Sequence, residues 1–254
     1  VTLAKPETDR QRLDELLVAR GEFPSRSRAR DAISRGAVTI AGKVVTKAGQ
    51  QVAGDASIKV DDPARRYVSR AALKLVAALD HFGFDPRGAL ALDIGASTGG
   101  FTQVLLERGA RHVIALDVGH GQLDPSLLGD TRITLLEGLN ARDLSLADLA
   151  GVAPNLLVCD VSFISLKLAL PPALGLAASG ARGVFLVKPQ FEAGREAVGK
   201  GGLLRDPALG ERIAEDMSAW LDTFPGWRSL GYRPSPIEGG DGNREFLLAG
   251  VKSR

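Results

Sequence analysis

Ala89-Leu90-Ala91-Leu92-Asp93-Ile94-Gly95-Ala96-Ser97-Thr98-Gly99-Gly100-Phe101-Thr102 decides the fold. A short apolar run carrying one acid near its end reads as a buried parallel strand that feeds a glycine-rich turn. Phe101, Val104, Leu105 and Arg108 then recur at helical spacing, so a helix leaves the turn. Gly95 and Gly99 allow backbone to approach a ligand where a Cβ would collide. Strand, glycine turn and helix in this order form the nucleotide crevice of a doubly wound sheet.

The spacing Gly95-x-x-x-Gly99-Gly100 departs from the G-x-G-x-x-G that places a pyrophosphate on a helix N-terminus. Asp93, just before the turn, would repel a pyrophosphate if aimed into the crevice, but suits a ligand with cationic groups. S-adenosyl-L-methionine, with its sulfonium and amino group, is such a ligand. Asp117 closes the next apolar run, His112-Val113-Ile114-Ala115-Leu116-Asp117, where a ribose diol is usually held.

The 254 residues suffice for one large α/β domain and one small one. With 44% hydrophobic and 24% charged residues the composition is that of an ordinary globular protein. No apolar run approaches the ~20 residues of a membrane span, and Val1-Thr2-Leu3-Ala4-Lys5-Pro6-Glu7 does not read as a signal peptide. The single cysteine, Cys159, fits a reducing compartment, so a cytoplasmic location is expected. Residues 1–60 carry 11 Lys and Arg against 7 Asp and Glu, a net of +4, and the remainder a net of −2, within a total of +2. The positive excess therefore sits in the small N-terminal piece, where a polyanion would be gripped.

In that piece residues 10–17 read as a helix with Leu13, Leu16 and Leu17 on one face. Ser25 is the N-cap of a second helix over 26–35, whose narrow stripe of Ala29, Ala32 and Ile33 is surrounded by arginines. Residues 38–40 and 44–45 alternate around Ala41-Gly42-Lys43 as a hairpin, with short strands near Val52 and over 58–60. Arg12-Leu13-Asp14…Leu17…Gly21, Ser25-Arg26…Ala29…Ile33…Gly36-x-Val38 and Gly42-Lys43-x-Val45-x-Lys47-x-Gly49 resemble the S4 RNA-binding domain. The expected RNA-facing residues are Arg12, Arg26, Arg28, Arg30, Arg35, Lys43 and Lys47, which can reach phosphates of folded RNA. The domain is placed over 1–60, a polar, proline-broken linker over 61–68 and the larger domain over 69–254.

The larger domain alternates strands and helices. A helix over 70–79 capped by Ser69 comes first, then strands over 89–94, 112–117, 133–136, 156–160 and 184–188, with a short helix around 165–170. The glycine-rich, charged run 194–206 reads as a mobile lid or substrate loop. A helix from Pro207 to Leu221 and strands over 227–232 and 245–251 complete an open, mainly parallel sheet covered on both faces. Asp160 and Lys188 end apolar strands, so they point to the crevice at the carboxyl ends, and Glu245 opens a strand at the same edge if that strand is antiparallel. Lys74 is the only charge between Ala71 and Leu79, and from its helix alone it reads as a lysine reaching to water.

Tyr67-Val68-Ser69-Arg70-Ala71-Ala72-Leu73-Lys74-Leu75, the 93–102 turn, Asp117-Val118-Gly119-x-Gly121-Gln122-Leu123, Cys159-Asp160-Val161-Ser162-Phe163-Ile164-Ser165, Lys188-Pro189-Gln190-Phe191-Glu192 and Gly242-Asn243-x-Glu245-Phe246 together resemble the TlyA (haemolysin A) family. The resemblance spans nearly the whole chain and implies an S4 domain joined to an FtsJ-like, Rossmann-like class I methyltransferase. It implies 2′-O-methylation of ribosomal RNA, with cytidine as the nucleoside and ribosomal RNA or ribosomal subunits as partner. It also implies a Lys-Asp-Lys-Glu tetrad at Lys74, Asp160, Lys188 and Glu245, and so overrides the bland reading of Lys74. His120 stands where an aromatic such as Tyr is commoner, which leaves one edge of the cofactor pocket open. The cofactor site is expected to comprise Asp93, Gly95, Ala96, Ser97, Gly99, Gly100, Phe101, Asp117, Val118 and Asp160.

For methyl transfer to a hydroxyl, in-line positioning supplies much of the rate and two lysines would stabilise charge developing on oxygen. Lys188 is the candidate base, with orientation of the hydroxyl as its alternative role, since the nearby carboxylates favour its charged form. His81, His112 and His120 are scattered, so no metal is expected. Neither a membrane association nor an obligate protein partner is expected. Competing readings are a catalytically silent RNA-binding protein, a nicotinamide oxidoreductase disfavoured by the glycine spacing, and a membrane-lytic protein.

Overall fold

The computed structural model describes residues 10–253, so the leader reading of residues 1–7 lies outside the described residues. The chain divides between Arg66 and Tyr67 into two compact units.

The first unit contains β1 (Arg10–Arg12), α1 (Leu13–Ala19), α2 (Arg26–Ser34), β2 (Val38–Ile40), β3 (Lys43–Val44), β4 (Gln51–Ala53) and β5 (Ile58–Val60). The first helix begins three residues later than its leucine spacing suggests. Arg10, Gln11 and Arg12 are extended because they pair antiparallel with Ala53, Val52 and Gln51. Ser25 caps α2 by accepting from the Arg28 N–H, and β2 is flanked by β3 and β5, both antiparallel. Leu13, Leu17, Ala29, Ala32, Ile33 and Val38 are fully buried between the helices and strands. Residues 61–66, expected as linker, fold with this unit. Asp62 takes two hydrogen bonds from Arg35, at 2.9 and 3.0 Å, and one from the Ala64 N–H.

The second unit contains α3 (Ala72–Phe82), β6 (Leu90–Ile94), α4 (Gly100–Glu107), β7 (His112–Asp117), β8 (Ile133–Glu137), β9 (Leu156–Cys159), α5 (Leu166–Ala169), α6 (Pro171–Leu176), β10 (Arg182–Val187), α7 (Pro189–Glu192), α8 (Leu209–Asp222), β11 (Trp227–Pro234) and β12 (Phe246–Lys252). Its seven strands lie in the order β11-β12-β10-β9-β6-β7-β8. Strands β6 to β10 are mutually parallel, and β12 runs antiparallel to both of its neighbours. The sheet is Rossmann-like and carries helix-packed cores on both faces. Leu90, Leu92 and Ile94 of β6 pack in one core with Met217 of α8, while Ala91 packs in the other with Leu75 and Leu105. Strand order reverses between β6 and β9, and ligands of such sheets collect outside that switch point.

Two local expectations change. Ser69 accepts from the Ala71 N–H, but α3 itself begins at Ala72 with no side-chain cap. The 194–206 run is pinned rather than free. Gly199 and Leu203 are bonded, Val198 bridges Leu204, and Asn243 donates to Gly202 O at 2.7 Å and accepts from the Leu204 N–H at 3.0 Å. No helix among the described residues is long and apolar enough to cross a membrane.

Candidate active site

The glycine turn after β6 meets the end of β9 directly. The Asp160 N–H donates to Ile94 O at 3.0 Å. Gly95 has φ +83°, and a Cβ there would lie 2.6 Å from Asp160 O, so neither its conformation nor its neighbour tolerates a side chain. Asp117, at the end of β7, accepts from the Ser97 and Gly119 N–H groups, both at 2.8 Å. These ends open onto a cavity of ≈1160 Å³ lined by Gly95, Ser97, Asp117, Val118 and Asp160. Val118 is 67% exposed and offers an apolar face.

The other five expected cofactor residues do not line this cavity. Asp93 is fully buried and accepts from Thr102 Oγ1 at 2.7 Å, so it ties β6 to the first turn of α4 instead of aiming into the crevice. Its Oδ1 has no hydrogen-bond partner among the described residues. Burial pushes its carboxyl up to about 7, against the pull of Thr102 and with some help from Asp160 and Asp117. The carboxylates that line the cavity are therefore Asp117 and Asp160. Ala96 and Phe101 are buried, Phe101 in the core beneath α4. Gly99 and Gly100 shape the turn, because a Cβ would lie 2.5 Å from Leu127 or 2.8 Å from Ser69. His120 lies against Gly138 and does not line the cavity.

The tetrad residues form two ion pairs. Lys188, just past β10, places Nζ 2.6 Å from Asp160 Oδ1 and donates to Ser162 Oγ at 2.8 Å. Lys74 of α3 pairs with Glu245, both almost fully buried. Burial pushes the Glu245 carboxyl up, opposed by Lys74 and then Lys188. Because β12 is antiparallel, Glu245 reaches the sheet edge where β9 and β10 end, so the two pairs meet there. Cys159 is buried beside Asp160, and burial raises its thiol above its usual range, which disfavours the reactive thiolate.

A second cavity of ≈380 Å³ is lined by Lys188 and Glu245 together with Ser162, Phe163, Gln190 and Asp241. Those last four were not singled out from the sequence, although each lies in or beside a quoted run. Phe163 is the clearest of them, 91% exposed with φ +64°. Set among Val161, Ser162 and Ile164, it carries no local signal of exposure in the sequence. Glu192 accepts from Ser165 Oγ at 2.5 Å and the Leu166 N–H at 2.7 Å, anchoring the loop that carries Ser162 and Phe163.

In the first unit the expected RNA-facing residues separate by environment. Arg30, Lys43 and Lys47 are exposed. Arg26 is half exposed but holds the buried Asp14 at 3.2 Å and Glu15 at 3.0 Å. Arg12 is committed to the same two acids, and Arg28 donates to Ala64 O at 3.2 Å. Arg35 is a correction. With 16% of its side chain exposed and both Asp31 and Asp62 engaged, it is a strut inside the unit rather than a gripping residue.

The FtsJ-like methyltransferase family model matches residues 67–252 and the S4 domain model residues 11–58. The 16S/23S rRNA (cytidine-2′-O)-methyltransferase TlyA of Mycobacterium tuberculosis is 45% identical over 240 residues, covering 94% of this chain and 89% of the relative. Hemolysin A of Brachyspira hyodysenteriae is 41% identical over 93% of this chain and 98% of its own. Among solved structures, a candidate hemolysin from Streptococcus thermophilus superposes with a TM-score of 0.73 at 38% identity, over 97% of this chain and 90% of that one.

Proposed function

Because this chain belongs to the FtsJ-like methyltransferase family, in its S4-domain-bearing TlyA branch, we propose that it transfers a methyl group from S-adenosyl-L-methionine to a cytidine 2′-hydroxyl of ribosomal RNA. The observation that carries the reading is the meeting of Lys188–Asp160 and Lys74–Glu245 at the carboxyl edge of the sheet, beside the Gly95 turn.

The larger cavity suits this methyl donor. Asp160 offers a carboxylate to its cationic groups, Asp117 stands where its ribose diol would be held, Gly95 leaves room for close approach, and Val118 offers an apolar face to a purine. When bound, the donor supplies a methyl group on positively charged sulfur. The remaining work falls to the chain: holding the attacking oxygen in line and stabilising negative charge on it. We assign that work to Lys188. An ammonium has three donor directions; Ser162 takes one, and the ion pair with Asp160 holds Nζ in place, which leaves N–H donors for the 2′-oxygen. Orientation and charge stabilisation are thus its role: the oxygen–methyl bond forms as the sulfur–methyl bond breaks, and the hydroxyl proton, made strongly acidic by the transfer, passes to water. Lys74 and Glu245 hold the edge of the site as a buried pair. The S4 unit grips the RNA through Arg30, Lys43 and Lys47, with Arg26 and Arg28 contributing from the same helix.

Incubating ribosomal subunits that lack 2′-O-methylcytidine with the protein and tritium-labelled donor, then digesting to nucleosides, tests the reading. Label in 2′-O-methylcytidine supports it. Label confined to base-methylated nucleosides, or none at all, refutes it.

A further inference from the structure

The second cavity poses a question of charge. It shares Lys188 and Glu245 with the proposed chemistry, yet Asp241 also lines it and is exposed. A carboxylate is out of place on a surface meant for a phosphate polymer unless it meets something other than phosphate.

Asp241 is held firmly. Its Oδ1 accepts from the Asn243 N–H and its Oδ2 from Gln190 Nε2, both at 3.1 Å. Asn243 is itself buried and tied to Gly202 and Leu204. Only the NH₂ side of a glutamine amide can donate to a carboxylate, so the Asp241 bond fixes which way Gln190 faces. Its Oε1 is then an acceptor, buried and without a hydrogen-bond partner among the described residues. A Cβ on Gly239 would lie 2.7 Å from Asp241 Oδ1 and 2.8 Å from Glu245 Oε1, so one glycine backs both this carboxylate and the tetrad. The cavity wall beside the tetrad is thus rich in fixed acceptors.

Such a wall favours a base that presents a donor. Cytosine carries an exocyclic 4-amino group where uracil carries a carbonyl oxygen. We propose that Asp241, oriented by Gln190, reads the amino group of the target base and so selects cytidine over uridine. The proposal rests on the ribose-methylation reading and names the residues that set its nucleoside preference. Uridine would turn an oxygen toward the carboxylate, losing a hydrogen bond and leaving an acceptor facing an acceptor.

The test compares ribosomal RNA substrates that carry cytidine or uridine at the methylated position. The unaltered chain should lose about five- to 150-fold in kcat/KM on uridine, the range that one well-formed base contact commands. Asp241→Asn, whose amide can turn to donate or accept, should bring the two within about threefold, and Asp241→Ala should also erode the preference. Donor affinity by calorimetry should change far less than the nucleoside preference in either variant, because Asp241 does not line the larger cavity and reaches it only through Gln190. Equal rates on cytidine and uridine by the unaltered chain would overturn the proposal, even if neither variant folds. So would variants that fold and keep the full preference. Failure of the unaltered chain to methylate the cytidine substrate would instead sink the ribose-methylation reading itself.

Discussion

Lys188 Nζ lies 2.6 Å from Asp160 Oδ1, and the two residues follow the ends of neighbouring parallel strands. This pairing makes the role of Lys188 separable by substitution. A base must lose its proton, whereas an orienting cation need only keep its charge and reach. Lys188→Arg should retain measurable methyl transfer, because a guanidinium donates in the same direction. Lys188→Met should lose about 10²–10³-fold in kcat, the usual loss for one stabilising donor. An arginine variant as inactive as the methionine variant would show that proton acceptance, not orientation, is the task.

Removing the carboxylate from that pair should leave an ammonium without its anchor. Asp160→Asn is expected to lower kcat and also weaken donor binding, since Asp160 lines the larger cavity as well. Glu245→Gln should lower kcat with donor affinity retained, because Glu245 lines the second cavity and not the larger one. Calorimetry with S-adenosyl-L-homocysteine beside steady-state rates separates the two, and identical behaviour of the variants would contradict the assignment.

Lys74 and Glu245 are almost fully buried, so Lys74→Met strands a carboxylate away from water. The expected cost is about 3–5 kcal/mol in urea unfolding. The deficit should shrink at acid pH, where the stranded carboxyl takes up a proton, and grow as pH rises through its raised range. Lys74→Met combined with Glu245→Leu should recover part of the loss. A pH-independent deficit would show that the pair is not the source.

Asp93 makes a prediction of opposite appearance to the usual carboxylate. Its folded-state value of about 7 lies above the ordinary 3.8, so the native state holds a proton that the unfolded chain has released. Between about pH 4 and 7 stability from this group therefore falls as pH rises, and above 7 it is flat. The span corresponds to a few kcal/mol, about 4 as an upper bound at 1.36 per unit. Unfolding free energies across that window should show the decline, and Asp93→Asn should flatten it whatever its effect on overall stability. A slope unchanged in the variant would assign it elsewhere.

On the RNA side, Arg30, Lys43 and Lys47 are better probes than Arg26 or Arg35, whose removal would release buried or half-buried acids. Replacing all three with Glu should weaken ribosomal RNA binding at least tenfold and reduce the slope of log K against log salt by roughly two to three. An unchanged slope by filter binding would mean that another surface carries the phosphates.

What the chain's order determined by itself was local. The apolar run into Gly95, the helix after Gly100 and the charges at strand ends were legible because period, glycine and strand termini act within a few residues. Ser25 capped its helix where the pattern put it. Partnership was not legible. Lys74 and Glu245 stand 171 residues apart, and nothing in that separation says that they meet. Asp93 and Asp117 both sit at strand ends, yet Thr102 draws the first into the interior while the second lines the cavity. Arg35 looks like the other arginines of its helix until Asp62 folds back onto it. Tertiary structure decided these cases because a side chain's environment depends on which distant elements pack around it, and burial sets both its charge and its reach.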